Sequence, residues 1–596
     1  MPTSMNRADP DPVLTRWCSD AILGAFQAYH GHFKEITARA RTRFAARDWH
    51  RGQQDALERL EVVSEVVRQV VMILLAQLGP AVRDKALWAR MKELYSASAR
   101  DLPEVELAET FFNSVTRQIF ATVGIDPSIE FVAPLSEPLA DGDQVCRTWI
   151  RDGTTEELFA GILQSFDFGA PIRDLQSDAR EAAARFDRHF QALGGAPVDT
   201  IELANAIFYR GKGAYLVGRA RRGDEISPVI LALLHPEEGI QLDAVLLTER
   251  EARIVFSFTR TYFRAQVERP RDLIAFLRSF LPTKRTSELY ISIGYNKHGK
   301  TELYRELRAS LASTHARFER AEGERGMVMM VFTLPPLDLV FKVIRDRFAP
   351  PKSTTRAEVK QKYDLVFRQD RAGRLVDAQE FEHLAFDADR FDPRLLSELM
   401  AQAGECVRRD GAQVIVNHLF VQRRVIPLNL YIRNVSFSAA RDAVLDYGQC
   451  IKDLAATNTF PGDLLLKNFG VTRAGRVIFY DYDELTLVTD CNFRDLPTAR
   501  EEMDEMRGEP WFFVDEHDVF PEEFLQFLGL PPELEQVFLA AHGDLLTAAY
   551  WREIQQRLRA GDIVHIFPYE QSRRLYPEPR RAIPLAARTI AHPPDA

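Results

Sequence analysis

Asp463 and Asn468 stand five residues apart in PGDLLLKN, and Asp481 follows Asn468 by thirteen, with Gly475 placed to turn a short hairpin between them. Phosphoryl transfer asks for that order. It needs a carboxylate beside the incoming hydroxyl, then an amide and a second carboxylate to share a magnesium ion on the phosphates. Upstream, Gly323, Gly326 and Val328 match the second half of a glycine-rich phosphate loop, where missing side chains let backbone N–H groups approach the ligand. Lys342, in VFKV, stands 14 residues after Val328, the place of a strand lysine that reaches phosphate oxygens. A D-x4-N pair alone recurs by accident. Joined to a hairpin, a second aspartate, a glycine loop and a strand lysine, it predicts an ATP- and magnesium-dependent kinase site. Asp483, two residues beyond Asp481, is expected near the metal or the substrate.

Each signal has a plainer reading. Gly294 to Thr301 reads GYNKHGKT, a complete Walker A pattern after the apolar run LYISI. A working P-loop NTPase would use Lys300 on phosphate and Thr301 on magnesium, but no following strand ends in a convincing Walker B aspartate. A polar turn leading into a helix is the favoured reading of this segment. Lys342 could point outward from an edge strand, and Gly323 and Gly326 could form an ordinary turn. DEHDVF, Asp515 to Phe520, offers carboxylates and an imidazole without a second ligand cluster, so it reads as a solvated loop. A glutamate to pair with Lys342 cannot be assigned among Glu358, Glu380, Glu382 and Glu398.

The elements that must position these residues begin with a long helical part. From about residue 11 to 310 the helical period dominates, with Leu60, Val63, Val67, Val71, Leu74 and Leu78 forming one apolar stripe. Strands look few there, and EARIVFSFTRTYF near Arg253 to Phe263, with VILALLHP before it, suggests a small β insertion. Near residue 321 the texture changes: VMMVFTL and LDLVFKVI read as two strands across a Pro-Pro turn. VIVNHLFVQRRVIPLNLYI reads as two strands and a connector, SAARDAVLDYGQCIKDLA as a helix, and the chain is helical again to about residue 560.

With 596 residues, 46% hydrophobic and 27% charged, the chain has the makings of two large folded domains or several smaller ones. A net charge of -10 and a pI near 5.8 offer no general attraction to nucleic acid. Arg573, Arg574, Arg580, Arg581 and Arg588 make a basic tail broken by five prolines after Tyr576, which reads as disordered. The five dispersed cysteines, Cys18, Cys146, Cys406, Cys450 and Cys491, suit a reducing compartment. MPTSMNRADPDP is no signal peptide, and VVMILLA, Val70 to Ala76, is too short to cross ~30 Å of hydrocarbon. A soluble cytoplasmic protein without membrane contact is expected.

The motif departs from ordinary protein kinases: Pro461 and Gly462 precede Asp463, Asp481 opens DYDE in place of DFG, and no APE follows. PGDLLLKNFGVTRAGRVIFYDYDE, VFKVIRDRFAPPK, GRLVDAQEFEHLAF and ELYISIGYNKHGKTELYR closely resemble the isocitrate dehydrogenase kinase/phosphatase family, and the resemblance runs over nearly the whole chain. It implies an α+β architecture: a mainly helical regulatory domain over 1–313, an atypical bilobal kinase-like domain over 314–575, and a tail, 576–596. The implied activity is bifunctional, phosphorylating and dephosphorylating a serine of isocitrate dehydrogenase at one site and so switching carbon between the citric acid cycle and the glyoxylate bypass. ATP/ADP and Mg2+ are the implied cofactors, AMP the allosteric effector, and isocitrate dehydrogenase the protein partner; a homodimer is left open. By position, Ala321, Glu322, Gly323, Glu324, Arg325, Gly326 and Met327 with Lys342 would bind ATP, Asn468 and Asp481 the metal, and Asp463 would be catalytic. Asp377, in LVDAQEF, corresponds to the aspartate tied to phosphatase activity; on residue type alone it would pass for a turn or surface residue.

Overall fold

The computed structural model describes residues 11–133, 145–194, 197–257, 262–350, 352, 354–369, 371–497 and 512–576. The tail beyond Tyr576, and residues 258–261 of the expected β insertion, lie outside the described residues.

Four helices open the chain: α1 (Pro12–Ala45), α2 (Trp49–Leu78), α3 (Lys85–Ala99) and α4 (Val105–Phe120). Asp11, Asp48 and Asp84 cap the first three by accepting backbone N–H bonds, and Pro12 sits where its missing N–H costs nothing. Their apolar faces meet in one core built on Phe26, Leu74, Trp88 and Phe112, all fully buried. Of the α2 stripe, Val67, Val71, Leu74 and Leu78 are buried and Val63 packs partly against them. The same helix, extended to Arg83, is long and apolar enough by length and composition to cross a membrane, with a window of mean hydropathy 1.6. Its inner face belongs to the protein core, whereas Met72, Ile73 and Leu75 are exposed.

The expected small insertion is a full sheet. After β1 (Cys146–Ile150), α5 (Thr155–Ser165) and α6 (Leu175–Leu193) come β2 (Thr200–Ala204), β3 (Phe208–Arg210), β4 (Gly213–Arg222), β5 (Glu225–Leu234) and β6 (Gln241–Leu246). They pair antiparallel in the order β1-β2-β4-β5-β6, with β3 on β4. Alternation splits the residues between two cores: Val217, Ile230 and Ala244 face the helical bundle, while Leu216, Leu231 and Leu242 face α5 and α6. EARIVFS, in contrast, is helix α7 (Glu249–Val255), started by a reciprocal Thr248–Glu251 capping box. Helices α8 (Pro270–Phe280), α9 (Thr286–Ser292) and α10 (Asn296–Ser313) finish this half.

The second half has two lobes. In the first, β7 (Glu319–Arg320), β8 (Met329–Leu334), β9 (Leu339–Ile344), α11 (Arg356–Gln369), β10 (Ala378–Asp387), α12 (Pro393–Gln402), β11 (Val407–Asp410) and β12 (Gln413–Arg423) follow in turn. The sheet order is β10-β12-β9-β8-β7, with β11 beside β12, so α11 links β9 to β10. The second lobe holds β13 (Ile426–Pro427), α13 (Leu428–Asn434), α14 (Phe437–Ala456), β14 (Phe469–Val471), β15 (Val477–Phe479), α15 (Pro532–His542) and α16 (Ala548–Arg559). VIVNHLFVQRRVIPLNLYI is therefore one long strand, a two-residue bridge and a helix, not two strands. Tyr447 and Ile451 of α14, Phe469 and Trp551 fill the core of this lobe.

Arg374 ties the lobes together. Fully buried, it bonds Asp453 at 2.7 Å, Asp446 at 2.8 Å and the Val477 carbonyl at 2.9 Å. Beyond α16 the chain returns to the first half: Arg574 and Tyr569 both bond the buried Asp243 carboxylate of β6, at 3.1 and 2.8 Å.

Candidate functional site

The glycine segment is the loop of the β7–β8 hairpin, closed by Ala321 N donating to Val331 O at 3.3 Å. Glu322 to Met327 are exposed, so their backbone N–H groups are open to a ligand. Gly323 has φ +117, and a Cβ on Gly326 would stand 3.0 Å from the Met329 carbonyl, so both glycines answer to backbone geometry.

Lys342 is on the central strand β9, between Val331 and Phe420 on the neighbouring strands. It is buried, not turned outward as an edge lysine would be. Its Nζ donates to the Tyr480 carbonyl at 2.7 Å and lies 5.2 Å from the Tyr480 ring centre. This brings the amine to the residue preceding Asp481, across the gap between the lobes. Burial pushes the ammonium pKa down, while the charges of Asp481 and Asp483 pull it back up.

In the second lobe the loop from Asp463 to Asn468 is closed by Asn468 Nδ2 donating to the Asp463 carbonyl at 3.3 Å. The β14–β15 hairpin pairs Phe469 with Phe479 and so returns Asp481 beside Asn468, with Tyr480 N bonding the Asn468 carbonyl at 3.1 Å. Burial and then Asp483 raise the Asp481 carboxyl to about 7, against the pull of Lys342. Asp483 is driven the other way: burial opposes its charge, but a hydrogen bond with Asp481 and the Lys352 ammonium hold it below the usual carboxylate range. Asp463 faces solvent at the lip of the cleft, where desolvation and then Glu484 raise its carboxyl.

The donor set fits magnesium: two carboxylates and an amide oxygen come together on a short hairpin, and burial with the charge of Asp483 disfavours the ionised form of Asp481, so the pair has use for a further positive charge. ATP fits the same cleft, with the exposed loop above, Lys342 between the lobes and Lys467 bridging to Glu324 of the loop at 3.0 Å.

None of the four candidate glutamates reaches Lys342. Glu358 accepts from Thr355 N at 2.7 Å, Glu380 holds His418 at 2.6 Å, and Glu398 pairs with Arg320 and Arg325; Glu382 forms no described ion pair with the lysine. Helix α11 instead supplies Lys362, which donates to the Asp483 carbonyl at 2.9 Å, and Tyr363, which packs on Phe420 and Tyr482. Lys352, just before α11, lies 3.2 Å from Asp483 and also pairs with Glu484. Sequence reasoning missed these two lysines; VFKVIRDRFAPPK carried Lys352, but nothing local aims it at Asp483.

Asp377 occupies a different pocket. Its Oδ2 accepts from Gln379 Nε2 at 2.6 Å, and it shares walls with Lys284, Arg285, Glu288, Arg423 and Arg476, but not with Lys342, Asp463, Asn468 or Asp481. The link to the cleft is through the backbone, since Tyr482 donates its hydroxyl to the carbonyl of Val376 at 2.5 Å.

The Walker A pattern is not a phosphate loop. LYISI lies on α9, and α10 begins at Asn296, so Lys300 and Thr301 are in the body of a helix. A Cβ on Gly294 would fall 2.0 Å from the Arg59 guanidinium and one on Gly299 2.4 Å from Ile291, which makes both packing glycines. Lys300 lies 5.0 Å from the Phe381 ring centre, and Thr301 Oγ1 bonds the Lys297 carbonyl at 3.2 Å. In DEHDVF, Asp518 is spent on Arg494, Asn492 and the Asp515 N–H, and no group of three or more His, Cys, Asp or Glu side chains placed to hold a metal occurs among the described residues.

Comparison with known proteins agrees with this geometry. The family profile described as the isocitrate dehydrogenase kinase/phosphatase (AceK) regulatory domain matches residues 19–315, and the one for the kinase domain of that family matches 316–571. A protein of Anaeromyxobacter sp. (strain Fw109-5) named isocitrate dehydrogenase kinase/phosphatase is 56% identical, over 95% of this chain and 99% of its own. Relatives of the same name from Xanthomonas euvesicatoria pv. vesicatoria (strain 85-10) and Serratia proteamaculans (strain 568) are 43% and 40% identical, over 94% and 96% of this chain and 97% and 98% of theirs. With a kinase cleft of this design and matches that span both halves, the chain belongs to the isocitrate dehydrogenase kinase/phosphatase family.

Proposed function

We propose that this protein transfers the γ-phosphoryl group of Mg-ATP to a serine of isocitrate dehydrogenase and also removes it, in one cleft, thereby setting the flow of carbon between the citric acid cycle and the glyoxylate bypass. The observation that carries the reading is the convergence of Lys342, Asp463, Asn468 and Asp481 beneath one exposed glycine loop. Residues 321–327 and Lys342 hold the nucleotide, and Asn468 and Asp481 hold the metal. Bound magnesium supplies charge neutralisation on the phosphates. Asp463 orients the serine hydroxyl and accepts its proton as the oxygen bonds to phosphorus and the bond to ADP breaks. A phosphate added to the serine brings negative charge to a place where an acidic substrate must bind, which switches the dehydrogenase off.

In the hydrolytic direction water is the nucleophile: its oxygen bonds to phosphorus as the bond from phosphorus to the serine oxygen breaks, and the serine oxygen takes a proton and leaves as the free hydroxyl beside inorganic phosphate. Asp377 supports that direction through Val376 and Tyr482 rather than at the reacting atoms. AMP acts as an effector of the balance, and the reducing cytoplasm is the compartment that suits five cysteines dispersed along the chain. The test is a two-phase assay with isocitrate dehydrogenase and ATP labelled in the γ-phosphate, followed by excess unlabelled nucleotide and AMP. Label should enter and then leave, with entry abolished in Lys342→Ala and Asp463→Ala. No transfer of label to isocitrate dehydrogenase by the wild-type protein would refute the reading.

A further inference from the structure

Helix α11 turns Val359, Tyr363 and Val366, four and three residues apart, into the core that also holds Ile344, Phe420 and Tyr482. Its two carboxylates are directed elsewhere: Glu358 accepts from Thr355 N at the start of the helix, and Asp364 is exposed. A strand lysine in a kinase is ordinarily aligned by a glutamate on the neighbouring helix. Here the inward face of the helix presents a phenol in its stead.

The Tyr363 ring stacks on Phe420, with centres 3.9 Å apart and planes 16° apart, and meets Tyr482 edge-on at 5.1 Å. Phe420 is the cross-strand partner of Lys342, and Tyr482 stands between Asp481 and Asp483, so both neighbours of the ring border the site. The Tyr363 hydroxyl is buried without a hydrogen-bond partner. An orphaned buried hydroxyl is costly, and packing does not call for it, since phenylalanine would fill the same space. Burial, then the charges of Asp481 and Asp483, hold its pKa well above the ordinary phenol range, so the proton stays on the oxygen as an unspent donor. One residue earlier, Lys362 Nζ donates to the Asp483 carbonyl at 2.9 Å. Two consecutive residues of α11 therefore address the acidic segment.

We propose that Lys362 and Tyr363 are positioning residues for the metal-holding carboxylate: Lys362 fixes the backbone at Asp483, and the Tyr363 hydroxyl donates to the Asp481 carboxylate when the magnesium nucleotide is bound. Carboxylates that ligate a metal are themselves held by hydrogen bonds from a second layer of side chains. The helix grips the acidic partner of Lys342 instead of Lys342 itself, with donors on the helix and acceptors on the segment after the β14–β15 hairpin. A phenol suits the task because it is neutral, so it steadies a carboxylate without competing with the metal as a second cation would. The inference rests on the cleft being a site for magnesium and ATP.

The experiment is titration calorimetry of full-length variants with ADP, with and without magnesium, beside the unfolding midpoint of each nucleotide-free variant. Tyr363→Phe keeps every ring contact and removes an unpartnered buried hydroxyl, so its midpoint should equal or exceed that of the wild type. Its affinity for Mg-ADP should nonetheless fall about tenfold, the value of one hydrogen bond to a charged group, while ADP without magnesium binds within about twofold of the wild type. Lys362→Met should lose Mg-ADP affinity in the same way, and Lys362→Arg should recover most of it. Gln361→Ala, exposed on the same helix, should stay within about twofold throughout. Tyr363→Phe decides the matter should Lys362→Met fail to fold. Wild-type affinity for Mg-ADP in Tyr363→Phe would overturn the proposal, and so would an equal loss with and without magnesium. A wild-type protein that binds no Mg-ADP would overturn the reading of the cleft itself, and the inference with it.

Discussion

Gly462 and Glu484 touch in a way that leaves no room for a side chain: a Cβ on Gly462 would stand 2.6 Å from both the Cβ and the carbonyl oxygen of Glu484. Gly462 also has φ +78, a conformation that L residues rarely adopt. The two departures from an ordinary kinase motif, Pro-Gly before Asp463 and DYDE in place of DFG, are therefore one adaptation. The acidic segment folds against the catalytic loop, and the loop gives up a side chain to let it in.

Gly462→Ala should displace Asp463 and lower the phosphotransfer rate by about 10²-fold, the cost of an ångström-scale misplacement. Glu484→Ala in the same chain should not restore activity, because the Cβ and carbonyl remain. Single-turnover rates of the two variants check this.

Lys352 is the cation nearest the acidic pair by ion pairing, and it lowers the carboxyls of both Asp463 and Asp481. Its removal raises both pKa values, so a larger fraction of each group is protonated and inactive at low pH. The acid limb of the rate profile of Lys352→Ala should move upward, with more activity lost near pH ~6 than near pH ~8. A uniform loss across pH would show that Lys352 acts by another route.

Glu106, on α4, is 4% exposed, and burial raises it from 4.5 to about 7 in the folded chain. The folded state holds that proton more tightly than the unfolded one. Its contribution is fully present below the unfolded pKa of 4.5 and is lost as the pH rises through about 7. Glu106→Gln, which cannot ionise, should gain about 1–3 kcal/mol over the wild type above neutrality and little in acid. Denaturant unfolding at two pH values measures the gap.

Arg374 binds two carboxylates with a guanidinium that is 4% exposed. Arg374→Met leaves Asp446 and Asp453 without it and should cost about 3–5 kcal/mol of stability. Equilibrium unfolding would read this as a fall in midpoint; an unchanged midpoint would contradict the account of how the lobes are tied.

What the sequence made legible follows from how local the determinants are. Asp463, Asn468, Gly475 and Asp481 belong to one loop and hairpin, so spacing alone encodes their meeting, and Lys342 was readable from its place 14 residues after Val328. Lys352 and Lys362 were not, because their aim at Asp483 depends on how α11 docks. The regulatory sheet escaped notice because β4 and β5 are buried on both faces over most of their length, so no apolar–polar alternation marks them. EARIVFS looked like a strand although Thr248 and Glu251 spelled a capping box ahead of it. GYNKHGKT misled in the opposite sense: its glycines serve helix packing, a reason invisible in a pattern of letters.

The central claim is that one cleft serves both directions of phosphoryl traffic. The direct measurement is the rate of phosphate transfer to isocitrate dehydrogenase, and of release from its phosphorylated form, for Asp481→Asn beside the wild type. The account predicts that both rates fall together, by about 10²-fold or more, as expected when a metal-holding carboxylate is lost from a single site. Phosphate release that persists at the wild-type rate while transfer is abolished would contradict it and require a second site.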